Sequence, residues 1–381
     1  NNIIRIIMSE KQDVPSTIPL PNVKDSLEKK GVLHFTMENV NVSVANALRR
    51  TILSDIETVV MNPKDSNFIV NTSRFNNEIL KQRLGCIPLH IKDFEDIDSL
   101  QVEIDESNEA DSIQYVTTQE FQIKNLSNDK YLAESFVKTV FPHNKMTQSY
   151  ILFARLRPRI SNEIPGERIK LTCKLSLGTA KQDGMYNVAS TCAYGNTPDP
   201  VEQGAKWQEI EEALEKKGGT TSDITYSRQN WYTMEAKRYF KPDSFDFKVE
   251  SVGVFTNMEI IHKACNKIVS RLNALVQKCD DESVELFKDG TATANTVDIK
   301  LMGYSYTIGK LVEYILYSDY YMNTSTLSYI GFIKRHPHDD HSILRLTFSD
   351  SGEFTDMNIY RMLKFACLSG INIFTNMKEY F

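Results

Sequence analysis

At 381 residues the chain exceeds one average domain, and its length points to two or three. A hydrophobic content of 41% with 25% charged residues is that of ordinary globular protein, and no apolar run has the length that spans a bilayer. The net charge of −6 argues against a large sequence-independent footprint on DNA; six scattered cysteines without a CxxC pair support neither a zinc ribbon nor a redox motif and fit a reducing compartment.

The first eight residues, ending at Met8, form too short an apolar patch for a secretory signal, and Met8 is a candidate start behind an upstream extension. Residues 9–25 hold Pro15, Pro19 and Pro21 and read as an extended arm. Val32–Met37 alternates and predicts a strand. A helix is expected from Ser43, its presumed cap, with Val44, Ala47, Leu48, Thr51 and Ile52 at three- and four-residue spacing.

From Val59 to about Pro165 short strands and loops are expected, among them Tyr115–Ile123 and Tyr150–Leu156. Nine acids crowd residues 93–111, from Asp93 to Asp111, which predicts a solvated loop. Ile169–Leu175 reads as a strand, Trp207–Lys217 as a short helix ended by Gly218 and Gly219, and Phe245–Val252 as a strand. A long amphipathic helix follows from Met258 to Lys278, with Ile261, Ala264, Ile268, Leu272 and Leu275 as its apolar stripe. Residues 279–292 are polar and read as a linker. Beyond it come a strand at Val297–Leu301, a helix at Tyr306–Asp319, strands at Tyr329–Lys334 and Ile343–Phe348, and a helix from Asn358 to Leu368.

Two of these helices overlay without gaps: Ser43–Asp55 on Thr307–Asp319. A hydroxyl opens each, Ala45 and Gly309 coincide, and Ser-Asp closes both. Amphipathic helices of this length match by chance often enough. The shared order of strand, helix, strands and helix favours a duplication. A small residue on each helix is expected to admit a partner helix closely.

The segment Ala45-Asn46-Ala47-Leu48-Arg49-Arg50, then Asn71-Thr72-Ser73, then Arg83-Leu84-Gly85-Cys86-Ile87-Pro88 resembles the signature of the alpha-like subunits of multisubunit DNA-directed RNA polymerases. Leu171-Thr172-Cys173, Gly178-Thr179-Ala180-Lys181 and Val249-Glu250-Ser251-Val252-Gly253 follow in matching order. This family includes the bacterial alpha subunit, the archaeal D subunit and the eukaryotic third-largest subunit. Residues 26–280 resemble the D type. Residues 293–381 more weakly resemble its smaller L-type partner, akin to the eukaryotic eleventh subunit, through Tyr306–Gly309 and the His336–His338 turn. Both partners fused on one chain resemble the arrangement in some large DNA viruses.

The resemblance implies an α+β fold: a pseudo-heterodimer of two dimerisation domains sharing a helical bundle, with a β-rich inserted subdomain. The implied domains are an arm (1–25), a discontinuous D-like domain (26–57 and 166–280), the insert (58–165), a linker (281–292) and the L-like domain (293–381). The implied function is a non-catalytic assembly subunit, with no catalytic residue and no cofactor. Its implied partners are the largest and second-largest polymerase subunits and a small subunit like the eukaryotic tenth or twelfth, with little direct DNA contact, no small-molecule ligand and no membrane. Its implied location is intracellular: cytoplasmic, in a viral factory or virion, for a viral chain, and nuclear otherwise. Many D-type subunits hold zinc or an iron–sulfur cluster in the insert; here that place is the cysteine-free stretch 93–111, so no metal is expected.

By the same resemblance Asn46, Arg49, Arg50, Arg83, Leu84, Gly85 and Pro88 face a partner, while Val44, Ala45, Leu48, Ile52, Ile308, Gly309, Leu311, Val312 and Ile315 form the internal interface. Arg49 and Arg50 diverge by about 100° on a helix, so one can reach the chain's own carboxylates while the other projects outward. The alternative is a solvated arginine pair. Arg83–Pro88 reads as a turn, and equally as a docking loop.

Other chemistries fit less well. Asp93–Asp98 lacks the glycine turn that would fold three carboxylates around magnesium, which argues against a nucleotidyltransferase acting alone. His336, His338 and His341 sit on a proline-containing turn and read as a surface loop. No phosphate-binding glycine loop or nucleophile elbow occurs. A free-standing nucleic-acid-binding adaptor is the remaining alternative, opposed by the acidic balance.

Overall fold

The computed structural model describes residues 17–161, 163–288 and 294–381. Met8, most of the expected arm and residues 289–292 of the expected linker lie outside the described residues. The fold is of the α+β class, and its described residues fall into two compact units. One comprises the chain up to Thr51, Ala193–Lys248 and Ile261–Phe381; the other comprises Ile52–Cys192 and Val249–Ile260. The insert boundaries expected at 58 and 165 lie inside this second unit.

The first unit opens with a hairpin. Strand β1 (Asn22–Lys29) pairs antiparallel with β2 (Val32–Glu38), so β1 begins inside the segment expected to be an arm. Lys30 (φ 55°) and Gly31 (φ 81°) both turn through the left-handed region, the geometry a two-residue hairpin loop needs. Along β2, Leu33, Phe35 and Met37 are buried and the residues between are not, as alternation predicts.

Helix α1 (Val42–Ser54) follows. In the second unit come β3 (Glu57–Asn71), α2 (Asn77–Gly85), β4 (Leu100–Ser107), β5 (Gln114–Thr117), β6 (Gln122–Asn125), β7 (Lys130–Tyr131), α3 (Glu134–Val140), β8 (Leu152–Leu156) and β9 (Arg168–Thr179). Strands β3-β9-β4-β6-β7 make one sheet and β5-β8 another. Their core gathers Leu80, Leu84, Val102, Ile104, Phe121 and Phe153.

Two expectations are corrected here. The acidic stretch is only partly a loop: its two ends are irregular, but β4 runs through its middle and pairs with β9 and β6. Val102 and Ile104 are buried, and the acids that alternate with them find partners on other strands: Asp105 binds Arg168 at 2.7 Å and Lys170 at 2.8 Å, and Glu103 accepts from the Tyr131 hydroxyl at 2.7 Å. The expected strand Tyr115–Ile123 is two strands, β5 and β6, in different sheets.

Strands β10 (Ala189–Pro198) and β11 (Phe240–Ser251) enclose helices α4 (Pro200–Lys216) and α5 (Thr221–Thr233). Helix α4 is longer than expected, and α5 was not expected at all. It starts at a capping box, Thr220 with Asp223, but buries no residue, so no apolar stripe announces it. Within the first unit β2 and β11 are neighbours; the Phe35 and Phe247 rings stack at 5.0 Å.

Helix α6 (Asn257–Asp280) carries the predicted stripe. Then β12 (Glu285–Phe287), β13 (Thr296–Met302), β14 (Leu327–Ile333) and β15 (His341–Phe348) form an antiparallel sheet in the order β12-β13-β15-β14. Strand β12 therefore lies in the segment expected to be a linker. Helix α7 (Tyr306–Leu316) continues as a π-helical stretch, Tyr317–Asn323, and α8 (Asp356–Lys378) runs ten residues past its expected end at Leu368.

Candidate partner interface

Helix α1 is capped by Asn41, not Ser43: the Asn41 side chain accepts from the Ser43 amide at 2.9 Å. Thr307 is likewise no cap. It lies inside α7, buried, and its hydroxyl accepts from Arg50 Nε at 2.9 Å. Arg50 thus turns into the first unit and ties α1 to α7. Arg49 diverges from it as the helix spacing requires, half-buried, with its Nε and Nη2 donating to Asn46 Oδ1 at 3.1 and 2.8 Å.

All nine residues expected inside, Val44, Ala45, Leu48, Ile52, Ile308, Gly309, Leu311, Val312 and Ile315, are buried. The space at Gly309 is not filled by a helix, however. A Cβ there would fall inside the Phe332 ring of β14. The glycine at the helix contact is Gly370 of α8, where a Cβ would meet Leu272 at 3.0 Å, Ile315 at 3.4 Å and Leu311 at 3.6 Å. Gly370 lies just beyond the expected end of its helix, so the sequence pattern missed it. Polar contacts set α8 antiparallel to α6: Lys378 donates to Asn266 at 2.9 Å, Lys364 binds Asp280 at 2.6 Å, and the Tyr360 hydroxyl donates to the Val284 carbonyl at 3.0 Å.

In the second unit the expected turn at Arg83 is instead the last turn of α2, whose start is capped by Asn76 accepting from Ile79 N. Arg83 donates to the Leu152 carbonyl at 2.7 Å and lies 5.7 Å over the Phe75 ring, so part of its capacity is spent within the unit. Leu84 is fully buried in the core, and a Cβ at Gly85 would meet Pro63 at 3.1 Å. Neither side presents a side chain outward; their contribution to any docking surface is the shape they give it. Pro88 is half-buried. With Thr58, Val60, Cys86, Met185 and Val254 it lines an open groove of about 540 Å³. Cys86 is exposed and the other five cysteines are buried.

Among the described residues no group of three or more histidine, cysteine or acidic side chains is placed to hold a metal, and no helix is long and apolar enough to cross a membrane. In the histidine-rich turn His336 and His338 contact edge to face at 4.9 Å, while His341 pairs with Asp340 at 2.9 Å.

Within the first unit, α6 and α8 meet in an antiparallel helix contact. The chain is 24% identical over 293 residues to a human protein, DNA-directed RNA polymerases I and III subunit RPAC1, covering 65% of this chain and 81% of that one. It is 26% identical over 317 residues to subunit 3B of DNA-directed RNA polymerases IV and V from Arabidopsis thaliana, covering 71% and 92%. It is 23% identical over 257 residues to DNA-directed RNA polymerase II subunit RPB3 of Schizosaccharomyces pombe, covering 66% and 85%. The family model for the RNA polymerase Rpb3/Rpb11 dimerisation domain matches residues 34–272, more than half of the chain. The chain therefore belongs to that family, the alpha-like RNA polymerase subunits.

Proposed function

We propose that the chain is a non-catalytic assembly subunit of a DNA-directed RNA polymerase, whose D-like residues 26–280 and L-like residues 293–381 pair within one polypeptide. The observation that carries this reading is the Arg50–Thr307 hydrogen bond, which links the two helices of the repeat across 257 residues of chain. The antiparallel contact of α6 with α8 supports it. Burying large apolar side chains contributes about 1.5–3 kcal/mol each, which makes such a contact permanent rather than transient. Covalent linkage makes the pairing intramolecular, so it does not depend on concentration. The rigid product is a platform for the largest and second-largest subunits and for a small subunit like the eukaryotic tenth or twelfth. The subunit works inside the cell, wherever its polymerase assembles.

The arginines separate docking from folding. Arg49→Ala removes a half-exposed guanidinium and is expected to leave thermal unfolding unchanged while weakening co-purification of a large subunit about 5–30-fold, the effect of 1–2 kcal/mol. Arg50→Ala takes the donor from the buried Thr307 hydroxyl and is expected to cost about 1–3 kcal/mol of stability. Co-purification from cells expressing both large subunits, with a denaturant titration of each variant, distinguishes these effects. Unchanged capture by the Arg49 variant would count against the docking role.

A further inference from the structure

The chain carries a net charge of −6, yet residues 135–161 contain no aspartate or glutamate and five cations: Lys138, Lys145, Arg155, Arg157 and Arg159. Strand β8 runs through this stretch in the second unit and forms a two-stranded sheet with β5. Val116 and Ala154, which face one another across the pair, are buried, so one face of the sheet packs inward. The other face is open. There Tyr115 lies opposite Arg155, whose guanidinium carbon is 5.3 Å from the centre of the phenol ring. Tyr115 is 55% exposed, Arg155 is exposed, and among the described residues no carboxylate pairs with Arg155.

Two more arginines follow at alternate positions. Arg157 is exposed, with its Nε held by the buried Glu167 at 2.5 Å. Arg159 pairs with Asp111 at 3.2 Å where both are exposed, a contact worth little in water. A guanidinium lying on a phenol ring presents a flat π surface and a row of N–H donors along its edge. The flat surface takes an unpaired nucleobase of any identity, and the edge donors suit phosphate oxygens. A duplex keeps its bases stacked on one another, so such a platform selects a single strand. An acidic peptide would satisfy the cations and make no use of the ring.

We infer that the open face of β5 and β8 binds single-stranded RNA, with Tyr115 and Arg155 as the stacking platform and Arg157 and Arg159 along the phosphate backbone. The acidic balance of the whole chain confines the footprint to this one acid-free face. The choice of RNA over DNA rests on the assembly reading above, since RNA is the single strand that an RNA polymerase produces. The platform itself rests on the geometry of the two strands.

The test reads the fluorescence anisotropy of a labelled uridine dodecamer against the purified full-length chain, across a salt titration. Wild-type affinity is expected to fall steadily with salt. Tyr115→Ala is expected to weaken binding at least about fivefold, the loss of one stacked base. Arg155→Gln is expected to lower the slope of log affinity against log salt by about 0.7, the signature of one lost phosphate contact. Both side chains are exposed, so thermal unfolding should not move in either variant. A deoxyuridine dodecamer serves as the DNA arm and polyglutamate as the acidic-peptide arm, and neither is expected to displace the RNA strand at equal charge. No binding by the wild type, unchanged affinity in both variants, tighter binding of the DNA strand, or displacement by polyglutamate would overturn the inference. Capture of the large subunits tests the assembly reading separately, and both variants are expected to retain it.

Discussion

Replacing Gly309 with valine is expected to destabilise the first unit by at least about 1–3 kcal/mol, the cost of inserting methyl groups into a filled core. The position is in the interior of α7, where glycine is ordinarily the weaker helix former by about 1 kcal/mol. Its retention is explained by Phe332, whose ring occupies the volume a Cβ would need and which also packs on Tyr306 at 5.4 Å. The strain should therefore depend on that ring. Phe332→Ala alone should cost about 3–5 kcal/mol, but the double variant should be less destabilised than the two single costs added. Denaturant titrations of the four proteins give the coupling. Simple additivity would show that the ring does not hold the position.

Leu272→Ala is expected to have an effect of similar size, about 2–5 kcal/mol. Leu272 is fully buried on α6, with its Cδ1 against the bare backbone of Gly370 on α8. A helix facing a glycine has no side chain to slide into the void, so collapse is limited and the cavity persists. The companion substitution should change sign with background. In the wild type, Gly370→Ala meets Leu272 at 3.0 Å and gains little or loses. In the Leu272→Ala background the new methyl enters empty space, and the better helix propensity of alanine, worth about 1 kcal/mol, should appear as a gain. The same sign in both backgrounds, read from urea midpoints, would contradict the packing described for α6 and α8.

What the sequence made legible follows from how local each signal is. Helix α6 and strand β2 were readable because burial repeats with their own period. Helix α5 was hidden because it buries nothing, although Thr220 and Asp223 marked its start. Strand β4 was hidden because its acids looked solvated; the cations that compensate them, Arg168 and Lys170, lie more than sixty residues away. The candidate site divides the same way. Adjacent arginines must diverge, and that much could be read. Which one turns inward depends on Thr307, 257 residues distant, and no local pattern carries that information. The glycine at Gly309 stood out by its place in the repeat, but its reason is a ring on β14 rather than a facing helix. Leu84 matched the motif and proved to be core.

The most direct measurement is to express the chain as two polypeptides, one ending at Lys288 and one beginning at Ala294, and to weigh what forms by native mass spectrometry. Because the Arg50–Thr307 bond and the contact of α6 with α8 cross that cut, the two pieces are expected to form a stable one-to-one complex that still captures the large polymerase subunits. Two soluble pieces that fold and remain apart would contradict it.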